Sequence, residues 1–166
     1  MPAAHGLRVA LLRSAFNARV VDGLLAGARE ALRAMGADPR DVAVVEVPGA
    51  FELPLAARAA ADSGKFDAIV ALGAVIRGET DHYEHIAREA AAGLAAAARE
   101  TGVPVGFGVL TVADEAQALD RCAPGPGNKG AEAAQAAVAM AHVVRSLRAA
   151  GRTKPGRARR RRKGRP

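Results

Sequence analysis

Leu72-Gly73-Ala74-Val75-Ile76-Arg77-Gly78-Glu79-Thr80-Asp81-His82-Tyr83-Glu84-His85 decides how the rest of the chain is read. An apolar strand runs through Asp67 to Gly73, the pattern breaks at Arg77-Gly78, and a helix begins near Thr80 or Asp81. A strand that ends in glycine and hands over to a helix N-terminus is where α/β proteins hold anions, because the first-turn N–H groups have no partner within the helix. His82 falls in that first turn, at the positive end of the helix dipole. A neutral imidazole beside an anion site suits proton transfer near neutral pH. The plainer alternative is a strand–helix turn that carries an exposed histidine.

Outward from this stretch, strands and helices alternate. Leu7–Leu12 reads as a buried strand, and Val20, Val21, Leu24, Leu25, Ala28, Leu32 and Met35 share one face of a helix from about Arg19 to Met35, ended by Gly36. Val42–Val47 is a second strand closed by Pro48-Gly49, and Phe51 to Ala61 a helix with Pro54 in its first turn. After the third strand come a long alanine-rich helix from Thr80 to Glu100, stopped by Gly102, and a fourth strand, Val105–Leu110. A short helix spans Asp114 to about Cys122, and Pro124-Gly125-Pro126-Gly127 breaks the chain. Asn128 then caps a last helix reaching about Ala149. This alternation predicts an α/β fold in which four parallel strands, joined by right-handed crossovers, carry helices on both faces. Ligands in such sheets bind beyond the carboxyl ends of the strands. That selects Ser14–Asn17, Pro48–Glu52, Gly73–His82 and the segment from Gly106.

The 166 residues fit one domain over 1–150, followed by a tail over 151–166. Half the residues are hydrophobic but only five are aromatic, so alanine supplies much of the apolar count. Each alanine buries little area, so such a core needs close helix packing and gains from burial shared between copies; an oligomer is expected. The net charge of +7 belongs to the tail. Residues 152–165 hold nine Lys or Arg and no acid, which leaves fifteen basic against seventeen acidic residues elsewhere. With Gly, Pro and Arg and no apolar period, the tail reads as disordered, and it could attract RNA, DNA or another polyanion nonspecifically.

Cys122 is the one cysteine, so no disulfide forms within the chain, and its apolar helical setting marks it as core filler. The N-terminal residues do not read as a signal peptide and no apolar run is long enough for a membrane span, which points to the cytoplasm. The histidines and the cysteine lack zinc-ligand spacing, and neither a Walker loop nor a dinucleotide fingerprint is present. A nucleotide-cofactor enzyme is therefore disfavoured.

Several residues in the selected loops carry chemistry. Phe16 in a polar turn could stack on a planar heterocycle, but taken alone it reads as a cap on the core. Gly49-Ala50-Phe51-Glu52 offers backbone donors and a carboxylate for a polyol or an amide edge, or is simply a helix start with a well-placed acid. Gly78-Glu79-Thr80 offers N–H groups and a hydroxyl to a phosphate, although the Glu79 charge must point away. Arg121, at a helix end, suits phosphate through its forked guanidinium or merely caps that helix. Lys129 opposes the dipole of the last helix, so it serves a ligand or pairs with Glu132 three residues on; Glu132 could instead orient His82.

These residues fall into five ordered motifs: Phe16-Asn17, Val47–Pro54, Gly73–Thr80 with His82, Phe107–Thr111, and Gly127–Gly130. On them the chain resembles the 6,7-dimethyl-8-ribityllumazine synthases from about Leu7 to Leu147. The resemblance implies a flavodoxin-like three-layer sandwich with a four-stranded parallel sheet. It implies condensation of 5-amino-6-(D-ribitylamino)uracil with 3,4-dihydroxy-2-butanone 4-phosphate, without cofactor or metal. By motif, Phe16 would stack on the pyrimidine, and Ala50, Phe51, Glu52, Ala74, Val75 and Ile76 would hold the ring and ribityl chain. Glu79 and Thr80 would bind phosphate through backbone groups, Arg121 would be its main cation, and Phe107 and Lys129 would complete the pocket. His82 would carry the proton with Glu132 as its partner. The resemblance also implies homopentamers with sites shared between neighbours, and in some members a hollow icosahedral shell of sixty subunits. The Pro-Gly repeat before Asn128 is an unusual version of the corresponding segment, and the basic tail has no counterpart in the family. Two other readings stand beside this one: an assembled container that keeps the fold without the chemistry, and an unrelated anion-binding α/β domain.

Overall fold

The computed structural model describes residues 3–152. Four strands, β1 (Val9–Ser14), β2 (Val42–Val47), β3 (Ala68–Ile76) and β4 (Val105–Val112), form one sheet in the order β2-β1-β3-β4. All neighbouring pairs are parallel. Parallel strands need crossovers, and helices supply them: α1 (Ala18–Ala34), α2 (Leu53–Asp62), α3 (His82–Thr101), α4 (Glu115–Cys122) and α5 (Lys129–Arg152). The result is the expected flavodoxin-like three-layer sandwich.

Alternation along the strands builds two separate cores. Leu11 of β1 and Val70 and Leu72 of β3 face α1, α4 and α5, packing on Leu24, Leu32, Ala134 and Val138. Leu12, Ile69 and Ala71 face the other way, onto Leu53 and Ala57 of α2 and Leu94 of α3. β3 is buried on both sides along nearly its whole length, which is why it reads as a continuous apolar run rather than as an alternation. With so many alanines the helices come close. A methyl at Gly93 of α3 would overlap Pro54 of α2, and one at Gly130 of α5 would overlap the Leu24 carbonyl of α1.

Several boundaries differ from expectation, each for a physical reason. β1 runs on through Arg13 and Ser14, because Arg13 is paired with both Asp22, at 2.8 Å, and Glu46. β3 runs on to Ile76 because its ladder with β4 continues to the Ile76–Val112 pair. The helix expected from Phe51 starts as a 3-10 turn over Ala50–Glu52, and the α-helix begins at Leu53 with Pro54 in its first turn. α3 begins at His82 rather than at Thr80 or Asp81. Gly36 and Gly102 follow their helices in the left-handed conformation, φ 84° and 68°, as a stop signal requires.

Asn128 caps α5: its Oδ1 accepts from the Gly130 and Ala131 N–H groups at 2.9 and 3.1 Å. Its Nδ2 donates to the carbonyls of Gly23, Cys122 and Ala123 at 3.1, 2.8 and 3.1 Å, so one buried amide joins α1, the end of α4 and the start of α5. α5 continues through Gly151 and Arg152, where the tail was expected to start; the remainder of that tail, with its polyanion-binding expectation, lies outside the described residues. No described helix is long and apolar enough to cross a membrane.

Candidate active site

The order of the sheet reverses between β1 and β3, since β1 leads outward to β2 while β3 leads to β4. Loops leaving the carboxyl ends of these strands therefore diverge and leave a crevice. A pocket of about 350 Å³ opens there. Phe16 and Asn17 from the loop after β1, Gly49–Glu52 after β2, and Ala74–Ile76, Gly78, Thr80 and His82 from β3 and the start of α3 line it. Of the residues singled out in the sequence, Phe16, Ala50, Phe51, Glu52, Ala74, Val75, Ile76, Thr80 and His82 are thus brought together.

Phe16 is 72% exposed and Phe51 56% exposed. Taken alone, Phe16 read as a cap on the core; the structure places its ring outside both cores, on the pocket wall. The backbone N–H groups of residues 78–81 donate to no carbonyl among the described residues, so this turn offers a row of donors in front of the α3 N-terminus. Glu79 is exposed and does not line the pocket wall. His82 is exposed and has no hydrogen-bond partner among the described residues. The Arg77 guanidinium sits 5.8 Å from the centroid of the Tyr83 ring, a cation–π contact that folds residues 77–83 back on α3.

The remaining candidates gather elsewhere. Phe107, Arg121 and Lys129 line a second, shallower groove of about 190 Å³ along β4, at the α4–α5 side of the sheet. No residue lines both cavities. Phe107 is 49% exposed. Arg121 donates to the Gln117 carbonyl at 3.0 Å, the helix-capping contact, and the rest of its fork has no partner among the described residues. Lys129 Nζ lies 2.8 Å from both carboxylate oxygens of Glu132, the pair that their spacing predicted. One chain therefore does not bring Glu132 to His82: the carboxylate is engaged by Lys129 and the imidazole belongs to the other cavity. Beside Arg121, Cys122 is buried and burial pushes its thiol up, as fits core filler rather than a nucleophile.

Besides Gly49 and Gly78 of the quoted motifs, three residues that line the first pocket were absent from the residues chosen by sequence: Asn17, Tyr83 and Ile86. Asn17 lines it and donates to the Ala74 carbonyl at 2.8 Å; its place in the Phe16-Asn17 motif was the available signal. Tyr83, one residue after His82, also lines it. Among the described residues no three His, Cys, Asp or Glu side chains cluster to hold a metal ion.

A protein-family model described as 6,7-dimethyl-8-ribityllumazine synthase matches residues 6–145. The chain is similar to proteins of that name from Edwardsiella ictaluri, with 51% identity over 89% of this chain and 95% of the relative, and from Nitratidesulfovibrio vulgaris, with 47% identity over 87% and 92%. A third relative of that name, from Halorhodospira halophila, is 48% identical over 86% and 91%.

Proposed function

The chain belongs to the 6,7-dimethyl-8-ribityllumazine synthase family, and on that premise we propose that it performs the family's reaction at a site divided between two neighbouring copies of itself. The reaction condenses 5-amino-6-(D-ribitylamino)uracil with 3,4-dihydroxy-2-butanone 4-phosphate in riboflavin biosynthesis. The observation that carries the divided site is the separation of the two cavities. One holds exposed aromatics, free N–H donors and His82 but no lysine or arginine; the other holds Arg121 and Lys129 beside an exposed Phe107. Neither half alone holds both a planar ring and a phosphate dianion with its charge matched.

In the joined site Phe16 stacks on the pyrimidine, while Ala50, Phe51, Glu52, Ala74, Val75 and Ile76 hold its polar edge and the ribityl chain. The N–H groups of Glu79 and Thr80 bind phosphate through the backbone, so the Glu79 carboxylate is free to point into solvent. Arg121 of a neighbouring copy completes the phosphate site with paired, charge-assisted hydrogen bonds. Phe107 and Lys129 of that neighbour close the pocket, and its Glu132 orients His82 across the interface.

The substrate brings its own amine, so the protein needs no strong nucleophile. Amine attack on the ketone with loss of water, departure of phosphate with the C–O electron pair, and ring closure with loss of a second water each need a proton moved, and His82 at the mouth of the anion site moves it. Positioning two substrates supplies much of the rate. The assembly is a homopentamer working in the cytoplasm; sedimentation distinguishes it from a sixty-subunit shell.

Complementation tests the divided site. Phe16→Asp breaks the first half and Arg121→Ala the second. Co-assembled in equal amounts, the two inactive chains regain about one quarter of wild-type turnover, because a heterologous ring pairs two intact halves at that frequency. A mixture as inactive as its parents, in rings shown to be mixed, would place each site within a single chain.

A further inference from the structure

Asn17 is the only non-glycine among the described residues with a positive φ, at φ 57°, ψ 43°. Asparagine tolerates this conformation better than most residues, yet it still costs free energy relative to the right-handed region. The residue stands at the N-cap of α1, where an asparagine side chain ordinarily accepts from the first-turn N–H groups. Here it makes no such bond; only its backbone carbonyl accepts, from Val20 and Val21 at 3.0 and 3.1 Å. The side-chain amide crosses the crevice instead and donates to the Ala74 carbonyl at 2.8 Å. The β1–β3 ladder has ended at the Arg13–Leu72 pair, so this bond adds one more tie between the two elements that flank the switch point.

Phe16 lies between two such ties. Its own N–H donates to the Pro48 carbonyl at 3.1 Å, after Ala15 has donated to Val47 at 2.8 Å, so the loop is fastened to β2 on one side. Asn17 fastens it to β3 on the other. An aromatic ring that is 72% exposed thus rises from a backbone that is pinned on both sides and bent by a left-handed residue. Helix capping explains none of this. A ring whose orientation is set before ligand arrives does explain it, because ordering a loop during binding subtracts from affinity.

We propose that Asn17 is a positioning residue: through its left-handed backbone and its bond to Ala74 it holds the Phe16 ring in the orientation that stacks on the planar substrate. The inference rests on the lumazine synthase reading for the identity of that substrate. Asn17 lines the same pocket, but its amide is committed to the Ala74 carbonyl and acts through Phe16, so deleting that bond weakens binding of the aminopyrimidine rather than the chemical step or the phosphate-bearing substrate.

Two variants test it in the full-length assembled protein. Asn17→Gly keeps the left-handed backbone and deletes the bond. Asn17→Asp keeps shape and backbone tolerance but puts a carboxylate oxygen where the N–H donor was. In both, KM for 5-amino-6-(D-ribitylamino)uracil rises roughly tenfold, while kcat and KM for the butanone phosphate stay within about twofold of wild type. Equilibrium dialysis of the aminopyrimidine alone shows the same weakening, so the inference is decided even if wild-type protein shows no turnover, an outcome that would sink the functional reading instead. Aminopyrimidine binding unchanged in both variants overturns the proposal. So does an equal loss in kcat and both KM values, or failure of both variants to assemble, since each would make Asn17 a structural residue only.

Discussion

The two cavities that make up the proposed site are built by different means. The β1–β2–β3 half is made of backbone: strand ends, a helix start and, in the turn between them, the N–H groups of residues 78–81. Its side chains are mostly small or apolar, and its specificity comes from where the main chain stops. The β4–α4–α5 half is made of long cationic side chains, Arg121 and Lys129, on helix ends whose placement depends on one buried amide, Asn128. Backbone sites resist substitution, because most side-chain changes leave the N–H groups where they were. Side-chain sites are lost with one mutation. The halves should therefore differ sharply in how they fail.

The largest failure is expected at Arg121. Replacing it with Ala lowers kcat/KM about 100-fold, the worth of a charge-assisted pair of hydrogen bonds at ~3 kcal/mol, and does so through the phosphate-bearing substrate. Steady-state kinetics with each substrate varied in turn would check it; a loss confined to the aminopyrimidine would break the division of labour. Next is Asn128→Ala, which strands three carbonyls and two N–H groups and should cost about 2–3 kcal/mol of stability by chemical denaturation. Since it loosens the mounting of Arg121 and Lys129, it should also raise KM for the phosphate substrate more than for its partner.

Smaller effects belong to the first half. Phe16→Ala should raise KM for the aminopyrimidine about tenfold, an aromatic contact of ~1.4 kcal/mol. His82→Ala should lower kcat by about tenfold, short of the 10²–10⁴ usual for general acid–base residues, because positioning carries most of the rate. A drop near 10⁴ would show that proton transfer dominates. Smallest of all is Ser14→Ala. Its hydroxyl, which faces Gly73, is buried without a partner among the described residues, so removal should change thermal stability by less than about 0.5 kcal/mol, or raise it.

The fold was largely legible because strand and helix periods are local properties, and β2, read as Val42–Val47, has those very bounds. Strand ends were harder. Nothing local tells that Arg13 can stay in β1, because its partners Asp22 and Glu46 come from α1 and β2. Within the site, the Lys129–Glu132 pair was legible from three-residue spacing on one helix. Phe16 was not, since a lone phenylalanine in a turn looks the same whether its ring points in or out. Nor was the role of Asn17: an asparagine before a helix announces a cap, and only the arrival of Ala74 across the crevice redirects its amide. That the candidates divide into two cavities depends on the sheet order, which no spacing along the chain encodes.

The close seat of α5 on α1 sets a limit on how this protein can be altered. At Gly130 and Gly27 even one methyl would collide with the Leu24 carbonyl and the Asn128 side chain. These two positions lie one residue from Lys129 and directly against the cap of α5, so the cationic groove is keyed to α1 by contacts with no slack. A selection experiment that seeks to accommodate a larger phosphate ester cannot widen the groove by sliding the helix in small steps. It is left with the side chains that line the groove, and diversity directed at Phe107 and Thr111 should yield folded variants where diversity at the glycines yields none.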